Sequence, residues 1–331
     1  MTILDQIAQC RDWAEDERIM LEQVQRVADE VIAPNAAVFD KSGDFPWENV
    51  EALNDLGMNA IFVPEAYGGA PIRYSLYLEC VTIISEACAS TGIIYATNYH
   101  AMGPVIDHAN EEQKARLLPR IAEGGLASLA ITEPSAGSDA TGMKTRFTPD
   151  GDEIVIDGGK TFITSGDEAD LILLFGKWSE IDDPKAAISA VVLEKGTPGF
   201  DVLRKEEKMG HRASSTAALS FSDCRTSRAN LVGEPGSGLS LLLSSLNKSR
   251  PSVAAHARGI ARAAFKDMIA YMNEREQSGR KIIEFQGNQF TVADLASDLA
   301  MLETWIDHVG RLVERNADDF GMEASIAKMR A

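Results

Sequence analysis

The segment Leu129-Ala130-Ile131-Thr132-Glu133-Pro134-Ser135-Ala136-Gly137-Ser138-Asp139 separates two kinds of periodicity in this chain. Ahead of it, apolar residues recur at helical spacing; behind it they fall into short β-branched runs, as strands do. Leu129 and Ile131 alternate like the end of a strand. Pro134, Gly137 and the two serines then break the pattern into a loop rich in hydroxyls and free backbone N–H groups. Such a loop suits an anionic or carbonyl-bearing ligand, although composition alone is also that of an ordinary turn.

Upstream, Met20, Val24, Val27 and Val31 lie three and four apart, which predicts an amphipathic helix over 16–33 that Pro34 ends. A second helix is expected over 47–56, with Pro46 suited to its start and Gly57 to its end. Phe62-Val63-Pro64-Glu65-Ala66-Tyr67-Gly68-Gly69 is a loop by its Pro and Gly content. Helices then follow over 75–89, 92–107 and 111–121, the last with Leu117 and Leu118 inward. Residues 1–124 thus form an N-terminal all-α domain.

Downstream, the runs 154–156, 171–175, 188–193 and 218–221 are short and bounded by Gly, Asp, Pro and Ser clusters. Residues 125–235 are therefore a middle β-domain, a small barrel or sandwich. From 236 to 331 the helical period returns, with Pro251 expected to kink or divide the first helix. Leu295, Leu299, Leu302, Ile306, Val309 and Val313 mark a further helix suited to packing on another, and a last one begins near Met322. Helices, then strands, then helices make an α+β protein of several lobes, not a βαβ parallel sheet. Gly233, Gly236 and Gly238 do not have the GxGxxG spacing of a dinucleotide-binding turn.

The chain has 331 residues, 45% hydrophobic and 25% charged, a globular composition with room for sizeable cores. No apolar run approaches the roughly 20 residues that cross a bilayer. Met1 to Cys10 has neither a cationic start nor a sustained apolar stretch, so a cytoplasmic location is expected. Cys10, Cys80, Cys88 and Cys224 form no CxxC pair and have no His at zinc spacing, which predicts reduced, partly buried thiols, no disulfide framework and no metal. The net charge of −18 disfavours nucleic acid as a partner. It also means that a polyanionic ligand would need local cations or helix N-termini at its site.

A second segment, Asp157-Gly158-Gly159-Lys160-Thr161-Phe162-Ile163-Thr164-Ser165-Gly166, sets an aromatic and a hydroxyl between glycine turns. The pair Thr-Glu-Pro-x-Ala-Gly-Ser-Asp and Gly-x-Lys-x-Phe-Ile-Thr, in this order, resembles the acyl-CoA dehydrogenase family. Pro64-Glu65-Ala66-Tyr67-Gly68-Gly69 matches a turn of the same family, and the resemblance extends through the C-terminal helices. It implies FAD as cofactor and an acyl-CoA thioester as substrate, oxidised to the trans-2,3-enoyl-CoA.

Carried over by position, Leu129, Ile131, Thr132, Gly137 and Ser138, with Phe162, Ile163 and Thr164, correspond to the residues that cradle the flavin ring. Ser138 also corresponds to a substrate contact. Asn247-Lys248-Ser249-Arg250 resembles the Asp-x-x-Arg segment bordering the acyl-CoA channel, which makes Asn247 and Arg250 substrate-side candidates; Asn stands for the commoner Asp. Arg275 and Gln286 fall where family members reach FAD of a neighbouring subunit, with Ser278 replacing an aromatic. The implied assembly is a homo-oligomer, a dimer of dimers, and the implied electron acceptor is an electron-transfer flavoprotein. Tyr95, Tyr99, His100 and Met102 either shape an acyl pocket or fill the core.

No catalytic base is identifiable. The late glutamate and the adenine-binding segment of most members would follow Ala331, and the position on the helix where a minority carry the glutamate is Ser249, which is no base without an activating partner. The expectation is an incomplete chain of a normal enzyme. A relative that passes electrons to oxygen, like acyl-CoA oxidases, and a catalytically silent flavin-binding scaffold are the alternatives.

Overall fold

The structure is a computed structural model and describes residues 11–331 apart from Asn316 and Asp318. Cys10 and the expectations for residues 1–10 lie outside the described residues. Two compact units divide the chain: one comprises residues up to 36, 73–93 and 250–331, the other 37–72 and 94–249.

The first unit is helical. Helix α1 (Glu15–Val27) carries Glu15, Asp16 and Glu17 in its first turn, where carboxylates favour the exposed N–H groups. Pro34 does not end it as expected. A π turn, Ala28–Ile32, follows, with the Ala33 N–H bonded to the Ala28 carbonyl five residues back, and helix α2 (Ala33–Ser42) begins immediately. The widened turn takes up the missing donor and ring of Pro34 within the first turn of α2, where a proline is tolerated.

Helix α3 (Trp47–Asp55) belongs to the other unit. Helices α4 (Tyr74–Ala87) and α5 (Ala89–His108) are separated by Cys88 in extended backbone, and α6 (Glu111–Ala122) follows. After the strands come α7 (Gly238–Glu274), α8 (Gln286–Glu314) and α9 (Gly321–Arg330). Pro251 does not divide α7, which stays helical through all 37 residues. One lost ladder bond is outweighed there by the fully buried Ala254, Ala255 and Arg258 that follow it.

At the centre of the helical unit five charges cluster, four of them buried and Arg262 half-buried. The guanidinium of Arg258 bonds Glu79 at 2.8 Å and Glu303 at 3.1 Å; that of Arg262 bonds Glu79 at 2.9 Å and Glu303 at 2.5 Å. Arg11 also reaches both carboxylates. Burial opposes ionisation of Glu79, but the three guanidiniums more than offset it and hold its carboxyl far below the ordinary range. Along α8 the face expected to be apolar is buried at Leu299, Ile306 and Val309 but exposed at Leu295. With Phe265, Met268, Leu302 and Trp305, Leu295 lines an open apolar groove of about 530 Å³.

The second unit is built on one eight-stranded sheet: β1 (Ala127–Ala130), β2 (Arg146–Asp150), β3 (Glu153–Thr164), β4 (Leu171–Trp178), β5 (Ile188–Glu194), β6 (Phe200–Lys205), β7 (Thr216–Ser227) and β8 (Leu231–Val232). The order is β6-β7-β3-β2-β4-β5-β8, with β1 parallel to β4. On β4, residues 171–174 pair with β1, while Lys177 and Trp178 pair with β2. Alternate residues of β4 enter different cores, as the two-residue period requires. Ile172 and Leu174 pack among Phe147, Ile156, Ile163 and Leu219. Leu171, Leu173 and Phe175 pack instead against Met102 and Val105 of α5, Leu117 and Leu118 of α6, and Leu241 and Leu242 of α7. Strands β2 and β6 are absent from the sequence reading: Arg146–Asp150 contains a proline, and β6 half-buries only Phe200 and exposes the rest, so neither shows an alternating apolar run.

Candidate functional site

Both glycine-flanked motifs lie in the sheet unit, and main-chain bonds bring them side by side. The Ser128 hydroxyl donates to the Thr164 carbonyl at 2.6 Å, and the Thr161 N–H donates to the Thr132 carbonyl at 2.9 Å. The start of β1 is anchored from helix α5: the amide oxygen of Asn98 accepts the Ala127 N–H at 2.7 Å, while its nitrogen donates to Asn59 at 3.0 Å. Asn98 has no role in the sequence reading; its one signal is an amide within a largely apolar helical run.

The end of β3 is irregular where the second motif falls. Between the pairs Lys160–Leu219 and Ile163–Ala217, three steps along β3 oppose two along β7, so one residue is extra. A bulge re-aims a side chain. Here Lys160, Thr161 and Ile163 are all buried, while Phe162, at φ 59°, is turned outward and 63% exposed. A left-handed phenylalanine is costly, and such strain gathers at binding sites. Ser165, at φ 55°, has a buried hydroxyl without a hydrogen-bond partner among the described residues.

The first loop is held from below by a buried ion pair. Lys160 Nζ donates to Glu133 Oε1 and to the Ile131 carbonyl, each at 2.8 Å. Glu133 also accepts the N–H groups of Lys144 at 2.6 Å and Thr145 at 3.0 Å. Burial pushes the Lys160 ammonium down to about 8, against the pull of Glu133. Burial works against the Glu133 carboxylate as well, yet Lys160 and the two N–H donors hold it below its ordinary value. The Glu133 N–H bonds the Ala136 carbonyl at 2.8 Å and the reverse bond is 3.1 Å, which closes the turn at Pro134 and Ser135. Both members of the pair stand in the quoted motifs, but a lysine in a strand beside glycines reads as exposed, and only the fold shows its burial.

Among the residues singled out from sequence, Leu129 and Ile131 are half-buried against the helix-facing core, and Ile163 is a core side chain, so it reaches a ligand only through its main chain. Thr132 and Thr164 are half-buried, and Gly137 and Ser138 are exposed on the loop. Asn247 is half-buried on α7 in the sheet unit. Arg250, Arg275 and Gln286 belong to the helical unit. Arg275 is exposed at the end of α7, beside a two-residue hairpin of β9 (Glu276–Gln277) and β10 (Arg280–Lys281). Ser278 and Gly279 turn it, both at positive φ, as a tight hairpin requires. Met102 and Tyr95 are buried, the Tyr95 hydroxyl donating to the Met58 carbonyl at 3.0 Å, which gives them packing roles. Ser249 is buried, and its hydroxyl donates to the Leu246 carbonyl at 3.2 Å. A hydroxyl so engaged is not a general base.

The arrangement fits a flat ring with polar edges. Phe162 supplies an exposed aromatic face; the hydroxyls of Thr132 and Thr164 make no hydrogen bond among the described residues, and the Thr132 N–H meets no protein acceptor there. Those groups, with the orphaned Ser165 hydroxyl, can donate to the nitrogen and carbonyl edge of an isoalloxazine.

The chain matches the family models for the acyl-CoA dehydrogenase N-terminal domain over 14–125, the middle domain over 128–224 and the C-terminal domain over 236–331. It is 36% identical over 322 residues to a probable acyl-CoA dehydrogenase of Bacillus subtilis, an alignment covering 97% of this chain and 84% of that one. Among solved structures it resembles butyryl-CoA dehydrogenase from Megasphaera elsdenii, at 29% identity and TM-score 0.93, over 97% of this chain and 85% of the other. A glutaryl-CoA dehydrogenase from Mycobacterium smegmatis in complex with FADH2 shares 26% identity at TM-score 0.87, over 96% and 81%. No described helix is long and apolar enough to cross a membrane.

Proposed function

Because the chain belongs to the acyl-CoA dehydrogenase family, FAD-dependent oxidoreductases acting on acyl-CoA, we propose that it desaturates an acyl thioester to the trans-2,3-enoyl-CoA. The observation that carries this reading is the joining of Thr132 and Thr161 behind an outward-turned Phe162. FAD, when bound, would supply a two-electron acceptor for the β-hydrogen as hydride, while the α-proton would have to pass to a carboxylate that none of the named residues provides.

The chain's own residues bind and orient. Phe162 offers the ring an apolar wall, and Thr132 and Thr164 donate to its polar edge, which favours the negative charge that arrives with the hydride. Leu129, Ile131, Gly137 and Ile163 shape the cradle through packing and main chain. Ser138, on the exposed rim of the loop, contacts both ring and thioester, with Asn247 and Arg250 on the substrate side.

The exposed guanidinium of Arg275 and the amide of Gln286 address the pyrophosphate end of FAD held by a neighbouring subunit, since Arg presents a permanently charged fork. This calls for a homo-oligomer, a dimer of dimers. The open apolar groove beside Leu295 and Phe265 supports association between copies, because exposed patches of that kind mark interaction surfaces. The divisions at 124 and 235, a cytoplasmic location and an electron-transfer flavoprotein as electron acceptor complete the proposal.

The test is anaerobic mixing of the FAD-loaded protein with saturated acyl-CoA esters of increasing chain length, followed by flavin absorbance. With acetate added as a carboxylate to take the α-proton, bleaching by at least one ester is expected. Stoichiometric FAD with no bleaching by any ester contradicts desaturation and leaves a flavin-binding protein.

A further inference from the structure

The buried pair Lys160 and Glu133 is more than loop support. An apolar pair of similar volume would often hold two strands as well or better, since desolvating two charges costs about what their attraction returns. What the ion pair adds is direction.

Peptide groups are planar, and the described residues contain no cis bond, so the Thr132 N–H points opposite to the Ile131 carbonyl. That carbonyl is aimed at the Lys160 ammonium, 2.8 Å away, and Lys160 is 1% exposed. The N–H is therefore turned away from the buried side. One residue on, the Thr132 carbonyl is fixed by the Thr161 N–H, and the Glu133 N–H by Ala136. Of these successive main-chain groups only the Thr132 N–H has no protein partner among the described residues. Glu133 in turn fixes the ammonium, and is itself fixed by Lys144 and Thr145, so the lysine has no freedom to swing away.

We propose that Lys160, locked by Glu133, is a positioning residue: by holding the Ile131 carbonyl it presents the Thr132 N–H to the flavin ring, and so sets both the affinity for FAD and the ease of its reduction. This rests on the reading of the two motifs as the flavin site. A preorganised donor facing a ring that gains negative charge favours the reduced form. Its loss makes the bound flavin harder to reduce.

The experiment uses the purified protein and its Lys160→Met variant, with three readouts: thermal unfolding without FAD, the FAD dissociation constant, and the midpoint potential of the bound flavin. The variant is expected to unfold cooperatively, to bind FAD about tenfold more weakly, the worth of one good hydrogen bond, and to show a more negative potential. A folded variant with the parent's affinity and potential overturns the proposal.

If Lys160→Met does not fold, amide hydrogen exchange on the unaltered protein decides. The Thr132 amide is expected to exchange freely without FAD and to be protected with it. Protection already present without FAD, or none gained with it, overturns the proposal. If the unaltered protein takes up no FAD, it is the site reading beneath the proposal that fails, an outcome distinct from a variant indistinguishable from its parent.

Discussion

The N–H of Thr161 donates to the carbonyl of Thr132 across 2.9 Å, joining two motifs that lie nearly thirty positions apart in the chain. That bond turns two separately unremarkable loops into one surface. Its neighbour, from Ser128 to the Thr164 carbonyl at 2.6 Å, is formed by a fully buried serine. Ser128→Ala should cost about 1 kcal/mol, the net worth of a buried hydrogen bond plus its orphaned carbonyl, and should also weaken FAD binding. Chemical denaturation and a flavin titration check the two effects. Loss of stability with FAD affinity untouched would separate this bond from the site.

Phe162 sets stability against function. A left-handed conformation costs a residue other than glycine about 1 kcal/mol or more, and its ring is largely exposed. Phe162→Gly should therefore leave the FAD-free protein at least as stable as the parent by thermal unfolding, while weakening FAD binding through loss of the aromatic wall. A variant that is destabilised and retains full FAD affinity would place Phe162 in the packing, not in the site.

In the helical unit, three guanidiniums share two carboxylates. Glu79→Gln would leave that excess of buried positive charge uncompensated and should cost about 3–5 kcal/mol. The sign of the pH effect follows from the lowered carboxyl of Glu79. Its contribution is present above the ordinary value of 4.5 and is lost as pH falls toward the folded-state pKa. Thermal unfolding midpoints should fall steadily below about pH 4.5, and less steeply in Glu79→Gln.

Gly259 lies where α7 meets α4. A methyl group built on it would stand 2.4 Å from the Thr82 carbonyl, a main-chain atom that cannot step aside. Gly259→Ala should destabilise the helical unit by about 1–3 kcal/mol, the usual cost of overpacking, despite alanine's better helix propensity. A gain in stability would mean that the helices separate readily.

The helix-strand-helix order was legible because apolar spacing changes at Leu129 and again near Gly238. Pro34 misled as a helix end and Pro251 as a helix break, since a proline signals a missing donor but not the π turn or surrounding packing that absorbs it. Strand β6 was invisible because past the half-buried Phe200 its side chains are exposed, and alternation is a record of burial. At the site, the motifs and their glycines were readable, whereas the bulge that expels Phe162 depends on the register of β3 against β7, which no local pattern contains. Lys160 was legible as a residue and not as a buried charge; its partner lies 27 positions away.

Residues 129–138 and 160–165 are predicted to hold one flavin between them. A crystal structure of the protein with FAD tests it most directly. The isoalloxazine is predicted beside Phe162, with its polar edge within hydrogen-bonding distance of the Thr132 N–H and the Thr164 hydroxyl. Flavin density elsewhere on the protein, with both segments bare, would contradict it.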